Sequence, residues 1–193
     1  MTVEELFTLL ANKVETASED IFSAVNAVSA ALMQLATSKK LSIAKGSTLL
    51  NTVANQPDVL LPPDCRTPDG VPKIGSLDLH VMPAGGEAVY ATPAKPSFYR
   101  IEGRRLVLAP TPDAVYQLFL SYYAHAEKVV ELDDELPFGG LLDDAFPGLV
   151  MMVMLKGRMV LVTQEAQAQL ALALQPLVLA EEQAVADSMN NYA

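Results

Sequence analysis

Residues 96–123 read PSFYRIEGRRLVLAPTPDAVYQLFLSYY, and this stretch decides the fold. Phe98-Tyr99-Arg100-Ile101 and Arg105-Leu106-Val107-Leu108 are rich in aromatic and branched residues. They flank Glu102-Gly103-Arg104, where glycine supplies the freedom that a tight reversal needs. A β-hairpin is the expected result. Ala109-Pro110-Thr111-Pro112-Asp113 turns the chain again, and Ala114 to Tyr123 (AVYQLFLSYY) forms the strongest strand signal in the protein. Its apolar residues occupy both faces, the pattern of a strand with neighbours on each side.

Working back toward the N-terminus, Gly75 to Met82 has a strand-like pattern closed by the turn Pro83-Ala84-Gly85-Gly86. Ser47 to Ala54 and Asp58 to Leu61 read as further short strands, leading into Leu61-Pro62-Pro63-Asp64. Proline placement separates this β region from its flanks. No proline precedes Pro57, ten of the thirteen lie between Pro57 and Pro112, and eight of the ten glycines lie between Gly70 and Gly148. Helix interiors exclude proline while turns recruit both residues, so the expected order is helix, sheet, helix.

The flanks carry helical periodicity. Val3, Leu6, Phe7, Leu10 and Val14 form one stripe over Val3 to Val14. Ser18 is the expected N-cap of a second helix, with Glu19 and Asp20 in its acid-favouring first turn and Lys39 and Lys40 at its end. Its stripe is Ile21, Val25, Val28, Leu32 and Leu35. After the β region, Asp143 or Asp144 is placed to cap a helix with Pro147 in the first turn, and Phe146 to Val162 is the most hydrophobic stretch. Lys156 and Arg158 interrupt its apolar part, and each central cation costs about 2.5–3.5 kcal/mol on membrane insertion, so a buried helix is expected and no membrane partner. Met151, Met152, Met154 and Met159 read as flexible core filler, with an adaptable partner surface as the alternative. Thr163 is the expected cap of a final helix through Leu170, Leu174, Leu177 and Val185, with Pro176 expected to kink or interrupt it near Leu172.

The fold class expected from these patterns is α+β. N-terminal helices (1–42) precede a β-rich subdomain of antiparallel hairpins (43–125), and C-terminal helices (143–188) complete a bundle with the first ones in a single domain, 1–193. The length fits about one domain of the usual ~100–200 residues. With 51% hydrophobic and 19% charged residues the chain can bury a real core.

Chemistry is harder to find. One cysteine, Cys65, excludes an internal disulfide framework and any multi-cysteine metal site. Gly85-Gly86 is followed by Glu87, so there is no Walker loop. Neither G-x-G-x-x-G nor G-x-S-x-G occurs, and His80 and His125 stand alone. No catalytic residue, cofactor or metal ligand is assigned. Two charged clusters remain as candidate interaction sites. Arg100, Arg104 and Arg105 lie on the hairpin, where Arg104 and Arg105 project to opposite sides if both are in strand. They are either a solvated tip or a contact for phosphates or a neighbour's acids. Glu127, Glu131, Asp133, Asp134, Glu135, Asp143 and Asp144 place seven carboxylates in eighteen positions, without EF-hand spacing. They serve as solvated and capping charge, as an electrostatic surface, or as the site of a small soluble enzyme or a ligand- or divalent-cation-binding protein using region 127–144.

The order of motifs resembles a known family. Leu61-Pro62-Pro63-Asp64 is followed by Pro96-Ser97-Phe98-Tyr99-Arg100-Ile101-Glu102-Gly103-Arg104-Arg105-Leu106-Val107-Leu108-Ala109-Pro110-Thr111-Pro112. Tyr116 to Tyr123 and two helices come next. From about Ser18 to Ala186 this resembles the adaptor, or head-to-tail connector, proteins of tailed bacteriophages, including the tail tubular protein A type. The chain departs from them in lacking Trp and in a proline-rich insert from Cys65 to Gly75. The resemblance implies a structural virion protein of the neck, made in the host cytoplasm and not an enzyme. It implies a ring, commonly of twelve copies, that joins the portal protein to a tail or nozzle protein. DNA would pass through the ring without sequence-specific binding. It also implies that the C-terminal part, from about Glu181 to Ala193, docks on the portal, with Tyr192 as its aromatic anchor.

The net charge of −10 is unevenly spread. Residues 1–57 carry 4 basic and 5 acidic side chains, residues 58–130 carry 7 and 8, and residues 131–193 carry 2 and 10. An acidic last third on a near-neutral remainder opposes non-specific DNA binding. In a ring, Glu131 to Glu135 facing the channel would repel phosphates and let the genome slide.

Overall fold

The apolar stripe of the second helix is the axis of the helical part. In the computed structural model, which describes residues 1–11, 18–83, 92–138, 142 and 144–190, α1 spans Val3–Ala11 and α2 spans Ser18–Ser38. The expected positions Ile21, Val25, Val28 and Leu32 are all buried, and Leu35 is half-buried. Ser18 is the first residue of α2, but its side chain, and with it the expected cap, lies outside what is described, as does the turn at Ala84-Gly85-Gly86. By length and composition Asp20–Ser38 is apolar enough to cross a membrane, but its stripe packs within the chain against α3 (Phe146–Lys156) and α4 (Gln164–Asn190).

The chain folds into two compact units. One combines Met1–Ala44 with His125–Ala193 and holds the helices; the other is the continuous stretch Lys45–Ala124 and holds the sheets. This is the α+β architecture expected, with helices at both chain ends and antiparallel sheets between.

Four corrections apply to the C-terminal helices. The stretch from Phe146 to Val162 is not one helix. Gly157, at φ +79°, ends α3, and Arg158–Val162 forms a 3-10 turn. Phe146, Leu149, Val150 and Val153 make the buried face of α3, whereas Met151, Met152 and Met154 are half-buried and Met159 is 76% exposed, so the methionines are not its core filler. No side chain caps α3: Ala145 is its N-cap and Pro147 sits in the first turn, so Asp144 does not cap it, and Asp143 lies outside the described residues. Thr163 does cap α4, its hydroxyl oxygen accepting from the Ala166 amide at 3.3 Å. Pro176 does not interrupt α4, which continues to Asn190. Core burial ends at Leu174, however; Leu177 is half-buried and Val185 is exposed.

In the β unit the strands are β1 (Lys45–Asn51), β2 (Asp58–Leu60), β3 (Cys65–Pro68), β4 (Lys73–Ile74) and β5 (Leu77–Asp78), then β6 (His80–Val81), β7 (Phe98–Glu102), β8 (Arg105–Ala109) and β9 (Gln117–Ala124). The expected strand Gly75 to Met82 is broken up. Gly75, at φ +64°, turns the chain between β4 and β5, and β6 leaves to join the other sheet. The proline-rich insert is itself sheet, since β3 and β4 both pair with β9.

One sheet has the order β1-β9-β4-β5 with β3 also on β9; the other is β2-β8-β7-β6, in which β6 runs parallel to β7. β9 is central, as its two-sided apolar pattern requires. Leu118, Leu120 and Tyr122 from the first sheet meet Leu106 and Leu108 from the second around Leu61, Ile74 and Leu79. Each such leucine contributes about 1.5–3 kcal/mol by leaving water.

Candidate functional site

The residues of the resemblance meet inside the β unit. Leu61 enters the core, and the Tyr122 hydroxyl donates to Asp64 at 2.9 Å, joining the Leu-Pro-Pro-Asp element to the last strand. Burial, reinforced by this bond to a carboxylate, pushes the Tyr122 hydroxyl up to about 12. The ring lies across Gly46, its partner in the β1–β9 register; a Cβ there would meet the ring at 2.8 Å. Only glycine leaves room for it. Thr52 closes the same strand pair, donating to the Ala114 carbonyl at 3.1 Å and accepting from the Tyr116 amide at 2.8 Å. Burial also raises the Cys65 thiol above its ordinary value, with Asp64 adding to the effect and Arg104 opposing it, so the thiolate needed of a nucleophile is disfavoured.

The hairpin arginines prove to be mostly paired within their own sheet. Register places Arg100 opposite Val107, Glu102 opposite Arg105, and Asp58 opposite Val107, so these four charges share one face. Arg100 meets Glu102 at 2.5 Å, and Arg105 bonds Asp58. Arg104 sits in the turn after Gly103 (φ +57°), exposed, its carbonyl accepting from the Leu61 amide at 3.0 Å. What the sequence presents as a cluster of three cations is a balanced row of two ion pairs with one exposed arginine at the tip.

The acidic segment has a local structural task in the helical unit. The amides of Val3 and Glu4, orphan donors at the start of α1, donate to the carbonyls of Asp134 (3.1 Å) and Leu132 (2.8 Å). Thr2 and Glu5 form a reciprocal capping box beside them, at 2.9 and 3.2 Å. The Asp134 carboxylate accepts from the amides of Val130 and Glu131, at 2.8 and 2.9 Å, and these two bonds hold it below the usual aspartate range. Glu131, Asp133 and Glu135 are exposed. Asn26 on α2 then clamps the segment by donating to the Val129 carbonyl and accepting from its amide, both at 2.9 Å. Among the described residues, no three His, Cys, Asp or Glu side chains converge to hold a metal ion.

Near the C-terminus, the Ser42 amide and hydroxyl both donate to Glu181, while residues 182–187 are exposed. Tyr192 lies outside the described residues. Sequence reasoning missed Asn26, for which a single Asn in a helical stripe is no signal. It also missed the Thr2–Glu5 box, whose Thr-x-x-Glu spacing is a recognisable one.

The polar side chains described above serve caps, turns and in-sheet pairs. A family model described as SU10 adaptor protein matches residues 1–191. The chain belongs to this family: it is a phage structural adaptor, a virion-associated component that interacts with other head or tail proteins. No curated protein sequence matches it.

Proposed function

We propose that this adaptor is of the tail tubular protein A type. It is made in the host cytoplasm, assembles as a ring of about twelve copies beneath the portal, and presents a platform to a tail or nozzle protein. The carrying observation is the family match along residues 1–191. In this reading the exposed carboxylates of Glu131, Asp133 and Glu135 face the bore and keep DNA phosphates from adhering during ejection. Arg104 at the hairpin tip contacts a neighbouring protein, and the C-terminal part from about Glu181 to Ala193, in which residues 182–187 are exposed, docks on the portal with Tyr192 as its aromatic anchor.

Mixing the purified chain with its cognate portal ring and imaging the product by electron microscopy tests this directly. Added density on one face of the portal with the portal's rotational symmetry is the expected result. No association at any ratio would overturn the proposal. Combined replacement of Glu131, Asp133 and Glu135 by Gln separates the electrostatic element from the assembly one. Rings should still form, and DNA ejection should slow; unchanged ejection removes the bore assignment.

A further inference from the structure

The first strand of the β unit is an open edge. Among the described residues β1 pairs with β9 alone, and seven residues, Lys45–Asn51, lie along that edge. The direction of its hydrogen bonds follows from two observations. Thr52 donates to the Tyr116 carbonyl, so the even-numbered residues of β1 bond β9. The Asp69 amide bonds the carbonyl of Ser121, so the odd-numbered residues of β9 face away from β1's even ladder, toward β3. Hence the N–H and C=O groups of Ser47, Leu49 and Asn51 point outward, and among the described residues no backbone group meets them. Edges of this length are ordinarily guarded by charge, proline or a bulge. Ser47 to Asn51 has none of these.

We infer that this edge pairs with the same strand of a second copy, antiparallel about a two-fold axis through Thr48. The register is self-complementary. Ser47 falls opposite Leu49 of the second copy, so outward-facing odd residues meet each other, as an antiparallel ladder demands. Lys45, the single charge of the strand, falls opposite Asn51, so no like charges oppose. Thr48 meets Thr48, a favourable cross-strand pair. Leu49 is 61% exposed and its register partner Phe119 is 39% exposed on the same face. The two-fold brings both leucines diagonally together between the two phenylalanines and covers an apolar cluster that one copy leaves in water. A two-fold contact closes on itself and does not propagate into a ring. The pair is therefore a form of the free chain, separate from the ring contact proposed above.

Sedimentation velocity over a range of concentrations reads the pairing, and cysteine cross-linking reads its register. In a Cys65→Ser background, Thr48→Cys should give a disulfide-linked dimer under mild oxidation, because directly opposed non-hydrogen-bonded residues lie about 4.5 Å apart at Cα, within disulfide range. Asn51→Cys should not cross-link, since the two copies of that position are about 20 Å apart along the strand. Ser47→Pro removes an outward N–H while sparing the β9 ladder, and should weaken the dimer about tenfold through two lost bonds. Its circular dichroism should match that of the parent. A monomer at all concentrations, a self-associating free chain that fails to cross-link at position 48, or equal cross-linking at 48 and 51 would each overturn the inference.

Discussion

The two units are held together in opposite ways. The β unit is one continuous stretch whose core gathers Leu61, Leu106, Leu118 and Tyr122 from elements in sequence order. The helical unit draws on both ends of the chain, and specific polar clamps tie the parts: Asn26 to Val129, the first amides of α1 to residues 132 and 134, Ser42 to Glu181. The lesson is that a unit made from distant segments needs directional contacts to fix which backbone lies where. A contiguous sheet gets its register from the ladder and the apolar faces.

The largest effect that breaks this contrast is in the β core. Leu118→Ala should cost about 2–5 kcal/mol, read as a lowered denaturant midpoint at unchanged slope. Next comes the clamp of the helical unit. Asn26→Leu strands the Val129 amide and carbonyl, costs about 1–3 kcal/mol, and should speed hydrogen exchange at Val129. Tyr122→Phe should cost about 1 kcal/mol. Its pH dependence has a definite sign. Because folding raises the hydroxyl to about 12, the stabilisation is complete below the ordinary tyrosine value and is lost as pH rises through about 12; ultraviolet titration should show one tyrosine ionising last. The smallest effect is at Asp134. Folding lowers its pKa, so its contribution is full above the ordinary aspartate range and disappears as pH falls through the folded value. The melting-temperature gap between the parent and Asp134→Asn should therefore close in acid.

Legibility followed the same division. The hairpin from Phe98, the strand ending at Ala124 and the stripe of α2 could be read because their patterns are local and strong. Cys65–Pro68 and Lys73–Ile74 could not, because they are strands only by pairing with β9, some fifty residues later. Of the two outcomes expected at Pro176, a kink or an interruption, the interruption does not occur, since α4 runs on to Asn190. In the candidate sites, residue types were visible but pairings were not. Arg105 finds Asp58 forty-seven positions away, and the acidic segment meets α1 through backbone carbonyls, which composition does not reveal.

The chain enters the β unit at Lys45 and leaves it at Ala124, and Lys45 is opposite Tyr123 in one strand pair. Entrance and exit are thus neighbours on one ladder, and the eighty residues from Lys45 to Ala124 form a self-contained cassette. A stretch whose two ends meet in this way closes its own loop and can fold as a unit from its own residues.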